Sequence, residues 1–201
     1  MTFTPGPRSL FHVIHGHGAG LPVLTLHGGF GLDHNTFRPW LDPLGHARRV
    51  IYFDHWLNGR SIGTDLSLGG LSLPALADDV EALCDFLHLD HVVMLAHSVA
   101  APIALECASR RNGRVAGLVL CAPVLAGRQF ADALARHGRR LTAAQAEVFS
   151  KAFAGQVRTD EEYKEGWRTI LPLYFAEYLS TVGTEFMERI QFRAAAFNQY
   201  A

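Results

Sequence analysis

Cysteine is scarce in this sequence, three residues in 201, and an odd count without conserved-looking spacing excludes a disulfide framework. Cys84, Cys107 and Cys121 lie in apolar stretches, so reduced, buried thiols and a cytoplasmic setting are expected. Charge of one sign is lacking as well: 18 basic and 19 acidic residues leave a net charge of −1. There is no basic stripe to track nucleic acid and no polybasic cluster to hold an anionic membrane. No apolar run approaches the ~20 residues that cross a bilayer. No charged-then-apolar leader opens the chain, and no internal repeat or low-complexity tract is visible. The 11 histidines are scattered outside any zinc spacing, so neither a metal nor an organic cofactor is expected.

What is present is a chain that is 49% apolar, enough to bury the core of one domain, with or without an inserted subdomain. Up to Pro123 strands and helices alternate. Leu10–Ile14, Pro22–Leu26, Arg49–Phe53, His91–His97 and Val115–Leu120 read as strands, the first two joined by a Gly-rich turn. Asn35–Leu41 reads as a short helix, Leu73–Leu87 as an amphipathic one, and an Ala-rich helix follows Ser98. All-apolar strands in this order predict an α/β fold: a mostly parallel sheet with helices on both faces. After Pro123 the alternation stops, and Phe130–His137, Ala143–Phe153, Glu161–Tyr163, Trp167–Tyr178 and Glu185–Phe197 all read as helix, dense in aromatics. We therefore expect a core over 1–127 and a helical cap over 128–201.

The stretch from His91 to Glu106 organises the rest. An apolar strand runs into a helix through Ala96-His97-Ser98-Val99-Ala100. A serine with a small residue two places to either side is the pattern of a nucleophile elbow, a sharp strand-to-helix turn that raises the serine oxygen above the sheet rim. The bland alternative is that Ser98 merely caps the helix. Functional groups in parallel sheets gather at the carboxyl ends of strands. His27-Gly28-Gly29, Asp54 and Ser98 all fall just after strands, and that convergence favours the nucleophile. An acyl-transfer site also needs N–H donors for the tetrahedral oxyanion. Val99 supplies one, and Gly29 or Phe30 of the His27-Gly28-Gly29-Phe30-Gly31 loop the other, with His27 and Gly28 shaping that loop.

The loop, Phe37-Arg38-Pro39-Trp40-Leu41-Asp42-Pro43-Leu44, and Val50-Ile51-Tyr52-Phe53-Asp54-His55 with Asn58-Gly59-Arg60-Ser61 together resemble the α/β-hydrolase superfamily. The similarity is greatest to its proline iminopeptidase-like branch, over about Leu10–Pro123. Those proteins carry His-Gly-Gly-Pro-Gly and later Asp-x-Arg-Gly-x-Gly-x-Ser, and insert their cap where this chain turns helical. The resemblance implies a serine hydrolase acting on a small ester or amide, or on a short peptide at its N-terminal residue. Phe30 stands in place of proline, Trp56-Leu57 in place of Arg-Gly, and Ala96 and Ala100 in place of glycines. Strict prolyl specificity is therefore not expected.

In such a fold the acid and histidine of the triad follow later strands, in the order Ser, acid, His. None follows here: the sequence given ends at Ala201, and the single histidine beyond the elbow, His137, lies among Arg136, Arg139 and Arg140. Base, carboxylate and final strands are expected outside this chain, from a longer protein or a second polypeptide that completes the sheet and triad. The rival is a non-catalytic pseudo-hydrolase that holds a small apolar ligand beneath its cap.

Overall fold

The computed structural model of the chain describes residues 1–3, 8–62, 71–110, 113–125, 132 and 141–200. Its centre is an open sheet built from β1 (Thr2–Phe3), β2 (Leu10–Leu26), β3 (Arg48–Phe53), β4 (Val92–His97) and β5 (Val115–Cys121). β2 doubles back within itself. His12–His15 lie opposite Phe53–Val50 and Val23–Leu26 opposite Val50–Phe53, so that Ile51 faces both Ile14 and Leu24. The two halves are the two strands expected over 10–14 and 22–26, with β3 between them. Gly16, at φ +79, makes the reversal possible: a Cβ there would lie 2.4 Å from Gly45 Cα. The second half of β2 then pairs in parallel with β4, and β4 in parallel with β5.

Strand alternation assigns each face of this sheet. Leu24, Leu26, Ile51, Phe53, Met94 and Ala96 point to one side, where helices α1 (Leu73–Phe86) and α2 (Ala101–Ser109) bury Leu76, Val80, Leu83 and Ile103 against them. Val23, Val50, Tyr52 and Leu95 point to the other, under Phe37 and Leu41. The helix expected over Asn35–Leu41 is a 3₁₀ turn, His34–Thr36. Asp33 caps it by accepting the Asn35 N–H at 2.9 Å, and Pro39, which lacks an N–H, prevents its continuation.

The second hydrophobic cluster belongs to the helical segment: Val157, Tyr163, Leu171, Met187, Ile190 and Phe192 gather around Leu32 of the core. Helix α3 (Ala143–Phe153) starts at a capping box between Thr142 and Gln145. Helix α4 (Asp160–Ile170) runs unbroken where two pieces were expected, its acidic first turn suited to the helix dipole. It stops short of Tyr178 because Pro172 interrupts it, leaving a 3₁₀ turn over Leu171–Tyr174. The helix expected over Glu185–Phe197 is two, α5 (Ser180–Arg189) and α6 (Ala194–Tyr200). Between them the backbone of Gln191 and Arg193 bonds to Asp33 Oδ2 and Gly31 O, a tertiary attachment that overrides helical periodicity. The helix expected over 130–137 and the core–cap boundary at 127/128 lie outside the described residues.

Cys84 and Cys107 are buried, but Cys121 is exposed. β5 pairs with β4 alone among the described strands, so its other edge and half of its side chains meet solvent, with Val119 44% exposed. No helix among the described residues is long and apolar enough to cross a membrane. Burial separates the two strands energetically. Met94→Ala, in the fully buried centre of β4, is expected to cost about 2–5 kcal/mol in urea unfolding. Val119→Ala on the open strand is expected to cost less than about 1 kcal/mol.

Candidate active site

β4 delivers the backbone to Ser98 in extended conformation, His97 holding φ −112 and ψ 135. Ser98 then reverses to φ +53, a left-handed conformation that costs an L-residue roughly 1–2 kcal/mol. One 3₁₀ turn, Ser98–Ala100, leads into α2. Ala96 and Ala100 are both fully buried in this reversal, which is why small residues flank the serine. Ser98 caps nothing. The turn begins at His97 and α2 at Ala100, neither with a side-chain cap bond, and Pro102 sits in the first turn of α2. The backbone of Ser98 is tied down instead, its carbonyl accepting the Val124 N–H at 3.0 Å.

The glycine loop meets this turn directly. A Cβ built on Gly28 would lie 2.7 Å from His97 Nδ1, 2.8 Å from His97 O and 2.9 Å from Ser98 Cβ, so no side chain is possible there. The Gly29 carbonyl accepts the Leu32 N–H at 2.9 Å, and peptide planarity turns the Phe30 N–H the opposite way. Gly28, Gly29, Phe30, Ser98 and Val99 line one cavity of about 660 Å³, roofed by Val148, Trp167, Leu171, Phe175 and Phe186 of the helical segment.

His27 does not line that cavity. It is buried, its Nε2 accepting the His55 N–H at 3.3 Å and its Nδ1 3.2 Å from Gly28 O. The first contact makes Nε2 the acceptor, so Nδ1 carries the proton and donates to the loop carbonyl. Burial drives the His27 pKa down to about 4, against the opposing pull of Asp54. His97 lines the same cavity with its ring against Gly28. Burial lowers its pKa, and no described hydrogen bond joins it to Ser98. His137 lies outside the described residues.

Asp54 closes β3 as expected, but it is buried and fully engaged. Its Oδ1 accepts from the His34 N–H at 2.9 Å and the His34 ring Nδ1 at 2.7 Å, and its Oδ2 from the Arg60 N–H at 2.9 Å. Burial would raise its pKa, but His34, His27 and the Arg60 N–H together hold it low. Asp33, His34 and Asp54 offer ligand atoms within 4.8 Å of one another. Both Asp33 oxygens, however, also accept N–H groups, from Asn35 and Gln191. This donor set describes a buried hydrogen-bond network in which every carboxylate oxygen already accepts an N–H.

Elbow, glycine loop and roofed cavity agree with what comparison finds: the profile of the alpha/beta hydrolase fold matches residues 22–182. The chain belongs to the α/β-hydrolase fold family. It is similar to a putative carbamate hydrolase, RutD, of Rhizobium rhizogenes, 31% identical over 107 residues, which are 52% of this chain and 40% of that protein. Among solved structures, an enol-lactonase from Burkholderia xenovorans superposes with TM-score 0.70 at 18% identity, covering all of this chain and 70% of that one. A proline iminopeptidase-related protein from Thermus thermophilus gives TM-score 0.65 at 23% identity, covering 100% and 70%. The match to RutD thus spans 40% of that relative's length.

Within this α/β-hydrolase fold, two residues near the loop had no sequence signal as site residues. Asn58 reads as half of an Asn-Gly turn, yet its Oδ1 accepts the Gly31 N–H at 2.5 Å. Tyr163 lies 133 positions from Phe30, and its hydroxyl donates to the Phe30 carbonyl at 2.5 Å. Leu57, standing where the resembled motif has glycine, holds φ +66.

Two tests follow from this geometry. Because Ser98 is left-handed, Ser98→Gly should be more stable than Ser98→Ala by about 1 kcal/mol in denaturant unfolding. His27 is held neutral in the fold, so its contribution is complete above its ordinary pKa of 6.5 and is lost as pH falls towards about 4. The stability advantage of the parent over His27→Gln should therefore shrink between those two values. An advantage that stays constant would show that His27 titrates normally.

Proposed function

We propose that this chain is the nucleophile-bearing part of a serine hydrolase that cleaves a small ester or amide, the N-terminal bond of a short peptide included. Ser98 Oγ attacks the carbonyl carbon, and the leaving alcohol or amine departs with a proton. Water then hydrolyses the acyl-enzyme. The Val99 N–H and that of Phe30 or Gly29 hold the oxyanion, while His27 and Gly28 set the shape of the loop. The observation that carries this reading is a non-glycine residue at φ +53 whose Cβ is 2.9 Å from the site of a Gly28 Cβ, on the wall of one cavity. The kinship with a protein named as a carbamate hydrolase is in keeping with it, since a carbamate combines ester and amide at one carbonyl. The aromatic roof suits substrates with a bulky apolar group.

The catalytic histidine and its carboxylate are proposed to come from polypeptide outside this sequence, entering beside the open edge of β5. His27 and Asp54 are already committed to structural bonds, and His97, although it lines the cavity, has no described hydrogen bond to Ser98 and no described carboxylate partner. Three free thiols support a cytoplasmic setting. The second reading, a pseudo-hydrolase that only binds an apolar ligand, is favoured by one observation: Ser98 has no hydrogen bond to a base among the described residues.

The natural protein decides between them. A fluorophosphonate probe should label it on Ser98, and Ser98→Ala should lose labelling at least 10³-fold. An unlabelled natural protein would leave ligand binding as its function. Intact mass should exceed 22.1 kDa or include a companion chain. A homogeneous 22.1 kDa species would overturn the divided triad.

A further inference from the structure

The peptide between Phe30 and Gly31 is gripped at both ends. Its carbonyl accepts the Tyr163 hydroxyl at 2.5 Å and its N–H donates to Asn58 Oδ1 at 2.5 Å. Asn58 is itself fixed, its Nδ2 donating to Trp56 O at 2.8 Å. Tyr163 is equally constrained: its ring stacks on Phe197 at 4.9 Å and meets Trp167 and Phe192 edge-on at 6.4 and 6.0 Å. The Gly31 backbone is pressed against that ring, since a Cβ there would lie 2.7 Å from Tyr163 Cε1. One residue further on, the Gly31 carbonyl takes the Arg193 N–H at 2.8 Å, and the Arg193 guanidinium reaches Gly59 O at 3.1 Å. The helical segment therefore does more than roof the cavity.

We infer that Tyr163 is a positioning residue for the oxyanion loop, fixing with Asn58 the plane of the Phe30–Gly31 peptide and through it the N–H groups of Gly29 and Phe30. This rests on the hydrolase reading above. Peptide planes move as units, so a carbonyl held at Phe30 limits the rotation of the preceding peptide through the shared Cα. Fixed donors are what make an oxyanion site effective, because they need no reorganisation as charge develops. Burial raises the Tyr163 pKa, keeping the hydroxyl protonated as a donor. The arrangement also couples the cap to the chemistry: a displaced α4 withdraws the hydroxyl and frees the loop.

The test is Tyr163→Phe on the natural protein, which keeps the stacked ring and deletes one oxygen. Two probes of the same shape are compared. With a fluorophosphonate, the Ser98 oxygen–phosphorus bond forms as fluoride leaves, the hydroxyl proton passes to the base, and the phosphoryl oxygen gathers negative charge in the loop. The matching phosphonate diester, without a leaving group, reports ground-state binding alone. The inactivation rate constant is expected to fall about ten-fold, short of the ~10²–10³ lost on deleting a donor itself. The Ki of the inert diester is expected to change less than about two-fold, since uniform binding is untouched. Asn58→Ala should slow inactivation similarly, and the double variant by less than the product, because both act on one peptide. Equal inactivation rates for parent and Tyr163→Phe overturn the inference while leaving the hydrolase reading intact. Parallel loss of inactivation and diester binding assigns Tyr163 to pocket structure and overturns it too. A parent that never reacts overturns the hydrolase reading and this inference together.

Discussion

The contact on which this structure depends is the approach of the Gly28 backbone to the turn at Ser98. The site of a Gly28 Cβ is within 3 Å of three atoms of His97 and Ser98. Two strand ends, β2 and β4, can therefore be neighbours in register only if one of them ends in a residue without a side chain. At the same turn the serine is left-handed, at φ +53, and the small residues Ala96 and Ala100 are fully buried. Strain at one residue is tolerated because buried residues of β4 and α2, Leu95, Ala96, Ala100 and Ala101, fix both sides of the turn.

The fold of the first 125 residues was legible because its signals are local. All-apolar runs such as Val50–Phe53 and Val92–Ala96 identify strands buried on both faces, and the structure splits each run alternately between two hydrophobic clusters. The Ser98 turn was legible through the spacing of small residues, which reflects a steric requirement within five positions. Cys121 was misread as buried for an equally physical reason. Its neighbours are apolar, but β5 lies at a free edge, and edge position depends on topology that no local pattern encodes.

The helical segment was less legible, and its errors share a cause. Periodicity suggested helix through Tyr178 and from Glu185 to Phe197, and in each case something non-local or covalent intervened. Pro172 removes a donor from the first case. In the second, Gln191 and Arg193 give their N–H groups to Asp33 and Gly31 in preference to the helix. A break at Ile190–Arg193 is what lets the segment reach the glycine loop at all, so the departure from regularity coincides with the candidate site. Tyr163 illustrates the limit best. In the sequence it only ends the short helix expected over Glu161–Tyr163, and the fold alone brings its hydroxyl to a carbonyl 133 positions away.

Two of the buried histidines are held in structural bonds. His27 braces the loop carbonyl and the His55 N–H, and His34 answers Asp54. Burial lowers the pKa of His27, His55 and His97. A general base must do the reverse: it has to gain a proton beside a carboxylate that compensates the new charge. The carboxylates nearest the loop, Asp33 and Asp54, have every oxygen occupied by an N–H donor. Loading a proton on His27 would break its bond to His55 and add charge to a site with no solvent to screen it. On the proposed reading, the described residues supply the fixed half of an acyl-transfer site, the loop amides and the cavity wall, and burial keeps His27, His55 and His97 out of the proton-moving half. Such a division is energetically meaningful, since donors and binding alone sustain roughly 10³–10⁴-fold acceleration over water when a triad is broken. On that same reading, the remainder of the rate comes from a histidine outside this sequence, brought to the rim beside Ser98.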